Sequence, residues 1–154
     1  MAIRNIVTLG DDVLHKVARP VTDFGAKTQE LIDDMIDTLD ATDNGIGLAA
    51  PQVGMLRRIF IVDLHDEDGV QVFVNPEILE TEGTRLCQEG CLSIPGKWGD
   101  VERPVSLKVR AQDRDGEFFE LDTDELLANV IAHENDHLDG ILFIDKLVGE
   151  LITE

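Results

Sequence analysis

Five residues near the C-terminal end, His133-Glu134-Asn135-Asp136-His137, carry the side chains best suited to chemistry in this 154-residue chain. On a helix turning about 100° per residue, His133 and His137 lie one turn apart on one face and Glu134 on its adjoining edge. Leu126, Leu127 and Val130 fall on the same side in the preceding turns, so two imidazoles and a carboxylate project from an apolar stripe. Two neutral imidazoles at this spacing can grip one metal ion, and a carboxylate beside them can carry the proton of a water that the metal activates. The competing reading is an acidic helix on which two histidines stack by accident. Under either reading, Asp122-Thr123-Asp124-Glu125 opens the helix and Asp139-Gly140 stops it.

A catalytic metal site commonly uses three protein ligands and leaves a position for water. The helix supplies two, so the third must be a Cys, Asp, Glu or His from elsewhere. Glu89-Gly90-Cys91-Leu92-Ser93 is a good source. Gly90 lets the backbone approach closely, and Cys91 would bind as a thiolate, deprotonated by the metal. Taken alone, Cys91 reads as a small buried hydrophobe; beside the two histidines it reads as a ligand. The other cysteine is Cys87. If the segment between them is extended, it spans about 13 Å, against a disulfide limit of about 7 Å between Cα atoms. Two free thiols in a reducing compartment are therefore expected. A third stretch, Gly45-Ile46-Gly47-Leu48-Ala49-Ala50-Pro51-Gln52, has small residues and ends in one amide. Read alone, it is a connecting loop.

The elements that must position these residues follow from the patterning. Ile6 to Leu9 looks strand-like, Gly10 breaks it, and Asp11-Asp12 begins a short turn holding Val13 and Leu14, with Pro20 ending it. His15 reads as exposed. Ala26 to Asp43 reads as a helix with Leu31, Ile32, Met35, Ile36 and Leu39 on one stripe, Asp33, Asp34 and Asp37 outside it, and Asn44-Gly45 as its stop. Arg58 to Leu64 and Val70 to Asn75 form a hairpin around His65 to Gly69, and Pro76 to Thr81 extends its second strand after a kink. His65 belongs to that turn and is given no role. Gly83 to Cys91 is weakly patterned, and Pro95 to Gly99 reads as a loop carrying the single tryptophan, Trp98. Leu107, Val109 and Ala111 alternate with polar residues, and Asp113 to Gly116 turns into Phe118 to Leu121, a second hairpin leading into the motif helix. The order implies an α+β fold, with antiparallel sheets packed on a buried central helix that carries the metal motif.

Composition bounds the rest. Hydrophobic residues make up 43% and charged residues 29%, which marks a globular chain of one domain over residues 1–154. No apolar run approaches the roughly 20 residues of a membrane span, and the N-terminus has no secretory core, so the cytoplasm is the default address. Thirteen Lys and Arg against thirty-two Asp and Glu give a net charge of −19. That charge opposes general affinity for nucleic acid or anionic lipid.

Taken together, the stretches Gly45 to Gln52, Glu89 to Ser93 and His133 to His137, in this order and at these separations, resemble the three motifs of the peptide deformylase family. The likeness covers nearly the whole chain. It implies removal of the formyl group from N-formylmethionine at the start of new polypeptides, with release of formate. By motif position it implies Cys91, His133 and His137 as metal ligands and Glu134 as general base and acid. The Gln52 amide and the Leu92 backbone N–H would hold the oxyanion. One divalent metal is implied, Fe(II) in most members, with zinc, nickel or cobalt able to replace it. Glu89 and Asp136 are candidates to support the imidazoles, and Asp136 is alternatively tied by Arg103. Ile46, Gly47, Leu126 and Val130 are the expected walls of an apolar methionine pocket, with Cys87 a weaker one. Formylmethionyl nascent peptides are the expected partners, without direct nucleic-acid or membrane contact. Many members continue into a basic C-terminal helix that docks on the ribosome. After the motif helix only Lys146 is basic here, as in short versions of the family, phage-borne ones among them, so docking by that route is not expected. Two other readings compete: a small metalloprotease, which would leave Cys91 and the Gly45–Gln52 stretch unexplained, and a non-catalytic metal-binding module, which would have no use for Glu134.

Overall fold

A computed structural model describes residues 3–42 and 45–153. In chain order, helix α1 (Ala26–Asp40) is followed by strands β1 (Gly47–Ala49), β2 (Ile59–Asp63), β3 (Val70–Glu82), β4 (Arg85–Cys91), β5 (Ile94–Arg103), β6 (Ser106–Gln112) and β7 (Phe118–Asp124), then by helix α2 (Glu125–Leu138) and strand β8 (Ile152–Thr153). Two sheets result, one ordered β1-β2-β3-β6-β7 and one ordered β4-β5-β8, with every paired neighbour antiparallel.

The larger sheet is covered on both faces by helices, and the side-chain alternation of its strands decides which helix each residue meets. Phe60, Val62, Phe73, Val109 and Ala111 pack with Ala128, Ile131 and Leu138 of α2. Ile59, Ile61 and Val74 pack with Leu31, Ile32, Met35 and Leu39 of α1. This explains why Ile59 to Val62 form a continuous apolar run rather than an alternating one: all five residues of β2 are buried. The smaller sheet has its own cluster, in which Ile94 and Val101 meet Leu14, Leu142 and Phe143. Helix α2 lies between the two sheets and touches β1, β2, β6 and β7 of one and β5 of the other. Beyond its first turn it is buried nearly all round. Gly140 ends it in a left-handed turn, φ 75°, where a Cβ would lie 2.7 Å from the His15 carbonyl group.

Asp122 and Thr123 do not open the motif helix; they belong to β7, which runs on to Asp124, the N-cap of α2, and α2 starts at Glu125. Helix α1 ends at Asp40 rather than Asp43 because the Thr42 hydroxyl donates to the Leu39 carbonyl and accepts from Gly45 N–H, which competes with another helical turn. Asp43 and Asn44 lie outside the described residues. Asp34 is buried, not outside the stripe, because Arg4 donates to its carboxylate at 2.9 Å. Ile6 to Leu9 does not pair as a strand. Instead Val7 N–H donates to Gln52 O and Leu9 N–H to Ser93 O, so the segment cross-links the two motif stretches. Pro95 to Gly99 is strand rather than loop: Cys91 pairs with Ile94 across a two-residue turn, and Lys97 and Trp98 pair with β8. The kink at Pro76 is a register shift between Val74 and Glu77.

Candidate active site

Three elements converge on one point. Helix α2 brings His133, Glu134 and His137; the end of β4 brings Cys91; and the segment from Gly45 to Gln52, running through β1 into a short 3₁₀ turn, closes the third side. Among the described residues, one donor atom each from Cys91, His133 and His137 lies within 4.8 Å of the others. Cys91 Sγ and His137 Nε2 are 3.4 Å apart. The edge between a sulfur and a nitrogen ligand on a tetrahedral ion with bonds of about 2.3 and 2.0 Å is about 3.5 Å. His133 gives its Nδ1 to the Glu89 carboxylate at 2.7 Å, which leaves Nε2 to face the centre. A thiol and two imidazoles so arranged fit a single divalent ion.

Behind these ligands lies a buried charge network. Arg103 donates to both oxygens of Glu89, at 2.6 and 2.8 Å, and to Asp136 at 2.7 Å; Asn129 Nδ2 adds a bond to Glu89 at 3.1 Å. Burial alone would raise the Glu89 pKa, but hydrogen bonds from Arg103 and His133, with their charges, hold it at about 2. The carboxylate is therefore fixed as an acceptor, which orients His133. Burial opposes a charge on His133, yet hydrogen bonding to Cys91 and Glu89 and the nearby Glu134 lift it well above the usual imidazole range. A metal taking Nε2 must displace that proton, so its uptake releases protons. His137 is pushed the other way, first by burial and then by the charge of His133.

Glu134 is buried, and burial raises its pKa to about 7 against the lowering effect of His133. Its Oε2 lies 4.0 Å from His133 Nε2. Glycine at position 47 makes room for it, since a Cβ there would sit 2.6 Å from Oε2 and 3.0 Å from a Val130 methyl. The Gln52 side chain is locked: Oε1 accepts from Ala49 N–H at 3.0 Å, and Nε2 donates to Ser93 Oγ at 3.1 Å and reaches Cys91 Sγ at 3.5 Å. Its N–H side thus faces the metal ligands. Leu92 occupies the turn next to Cys91. The whole opens into a cleft of about 680 Å³.

The sequence model of polypeptide deformylase matches residues 3–151. The chain belongs to the peptide deformylase family. It is 53% identical over 146 residues to the peptide deformylase of Clostridium botulinum strain Alaska E43, covering 95% of this chain and 97% of that relative. Its structure resembles the peptide deformylase of Thermotoga maritima with a TM-score of 0.91 at 41% identity, over 96% of this chain and 99% of that one. The deformylase of Legionella pneumophila gives a TM-score of 0.90 at 44% identity, over 95% and 86%.

All but one of the expected site residues reach the cleft or the donor cluster. Ile46, Gly47, Gln52, Cys91, Leu92, Leu126, Val130, His133 and Glu134 line the cleft, and His137 joins the donors. Cys87 does not line it. Of the two expected supports, Glu89 holds His133, whereas Asp136 is tied by Arg103 and by Lys146 at 3.1 Å. Three contributors escaped the sequence reading: Ser93, which accepts from Gln52; Asn129, which braces Glu89; and Trp98, on the cleft rim. Asn129 was detectable, since it lies one turn before His133. Ser93 lies in the turn between β4 and β5, where nothing local ties it to Gln52, and Trp98 belongs to a stretch that reads as a loop.

Proposed function

We propose that this chain hydrolyses the formamide of N-formylmethionine at the start of new polypeptides. In this reading Cys91, His133 and His137 hold one divalent metal and Glu134 carries the proton. The observation that carries it is the convergence of a thiol, two imidazoles and a buried carboxyl on one point. A formamide carbon is a poor electrophile. A divalent metal at this centre supplies what the reaction needs, a water acidic enough to attack near neutral pH and charge to stabilise the carbonyl oxygen.

The protein groups do the rest. Glu134 takes the proton from the attacking water and returns it to the departing amine as the C–N bond breaks, leaving formate and a free methionine N-terminus. Gln52 Nε2–H and the Leu92 backbone N–H donate to the oxygen as it gains charge, and donors of this kind are worth about 2.7–4 kcal/mol each. Glu89 keeps His133 in the tautomer that ligates through Nε2. Ile46, Gly47, Leu126 and Val130 form the methionine pocket. Fe(II) is the metal we assign, as the family resemblance implies; zinc, nickel and cobalt also suit a mixed sulfur and nitrogen donor set. One catalytic domain spans the chain and acts in the bacterial cytoplasm, where formylated chains are made. A net charge of −19 gives it no general affinity for nucleic acid. No helix among the described residues is long and apolar enough to cross a membrane.

The test is formate release from formyl-Met-Ala-Ser beside cleavage of the unformylated peptide. Formate from the first and an intact second support the reading; internal cleavage of the second without formate from the first overturns it.

A further inference from the structure

His65 stands in the turn between β2 and β3 and does not line the cleft, yet it holds a segment that does. Its Nε2 lies 3.0 Å from the Gly45 carbonyl oxygen. A carbonyl only accepts, so Nε2 carries the hydrogen and donates. Asp63 lies on the other side of the residue: Oδ1 accepts from the His65 backbone N–H at 2.8 Å, and Oδ2 lies 3.6 Å from Nδ1. His65 adopts φ 59°, a left-handed backbone that disfavours side chains other than glycine.

The bond lies just beyond the end of the β1–β2 ladder. Strand β1 pairs with β2 at Gly47 and Val62. One step outward, Asp63 N–H donates to Ile46 O at 2.8 Å. At the next acceptor, Gly45 O, the donor is an imidazole rather than a backbone amide. On its other side Gly45 N–H donates to Thr42 Oγ1 at 3.1 Å. Gly45, Ile46 and Gly47 all line the cleft. We propose that His65 is a positioning residue for substrate binding: its imidazole clamps residues 45–47 so that Ile46 stays in place as a wall of the methionine pocket. Glu134 and the metal ligands sit on α2 and β4, outside the clamped segment. The inference rests on reading the cleft as the formyl-peptide site.

The test uses the metal-loaded enzyme. His65→Ala raises KM for formyl-Met-Ala-Ser about three- to tenfold, the range one net hydrogen bond supports, with kcat within about twofold and bound metal per chain unchanged. His65→Gln, whose amide N–H can reach the same carbonyl, restores the original KM. His65→Gly also removes the donor but relaxes the left-handed backbone. Its thermal midpoint is maintained or raised while its KM rises as in the Ala variant, which separates positioning from stability. Amide hydrogen exchange over residues 45–49 gives a reading independent of turnover, faster in the Ala and Gly variants. Unchanged KM and unchanged exchange in both variants overturn the clamp, and so does a KM in the Gln variant as high as that of Ala. Absence of formate from the wild-type enzyme with faster exchange in the variants would instead keep the clamp and sink the deformylase reading.

Discussion

Replacing Glu89 with Gln removes the charge that orients His133 while keeping the side-chain shape. Glu89 is 5% exposed, and burial favours its neutral form. Arg103 and His133 outweigh burial and hold its pKa at about 2 instead of 4.5. The folded chain therefore binds this proton less readily than the unfolded chain. The resulting stability is fully present above about pH 4.5 and is lost as pH falls toward 2. At about 1.4 kcal/mol per tenfold, the lowering corresponds to about 3 kcal/mol at neutral pH, of which about 2 kcal/mol is gone by pH 3. Breaking a buried ion pair by removing one partner costs about 3–5 kcal/mol, a similar size. Arg103 then faces Asp136 with only a neutral amide where Glu89 stood. Urea unfolding of metal-stripped wild type and Glu89→Gln, run from pH 7 to pH 3, measures the difference. Its expected course is from about 3 kcal/mol at pH 7 to about 1 kcal/mol at pH 3. A difference that stays constant over this range, or lies below about 1 kcal/mol at pH 7, would refute the assignment of the low pKa to Glu89.

Cys91→Ser exchanges a thiolate for a neutral hydroxyl and should lose bound metal on metal analysis, whereas Cys87→Ser should retain it; unchanged metal and activity in the first would remove Cys91 from the ligand set. Gly47→Ala puts a methyl group against the Glu134 carboxylate and should lower kcat at least about tenfold with metal retained, since a small displacement of a catalytic group is costly. An Fe(II)-loaded enzyme should lose activity in air faster than a nickel-loaded one, through oxidation of the metal or of Cys91. Equal decay of the two forms would count against iron-centred damage.

The donor residues were legible because each sits in a local pattern. The spacing of His133 and His137 defines a helix face without reference to anything distant, and α2 extends two residues before Leu127 and one beyond His137. The alternation at Leu107, Val109 and Ala111 marked β6 for the same reason. Contributors set by non-local pairing were harder to see. Strand β5 contains Pro95, Gly96 and Gly99, which read as a loop, and it becomes a strand only because β4 and β8 flank it. Asp34 looked like a solvent-facing acid because its partner, Arg4, is thirty positions away. His65 reads as part of its turn, since nothing local connects it to Gly45. The supporting role of Glu89 was anticipated, but its bidentate clamp by Arg103 depends on the register of β4 against β5, which composition does not encode.

The central claim is that Glu134 moves the proton at a metal held by Cys91, His133 and His137. Its most direct test is single-turnover formate release by metal-loaded Glu134→Gln, with metal content measured on the same sample. The account predicts wild-type metal content and a rate lower by at least about 10²–10⁴-fold, the contribution of general acid–base catalysis. A variant that keeps its metal and releases formate at close to the wild-type rate would contradict it.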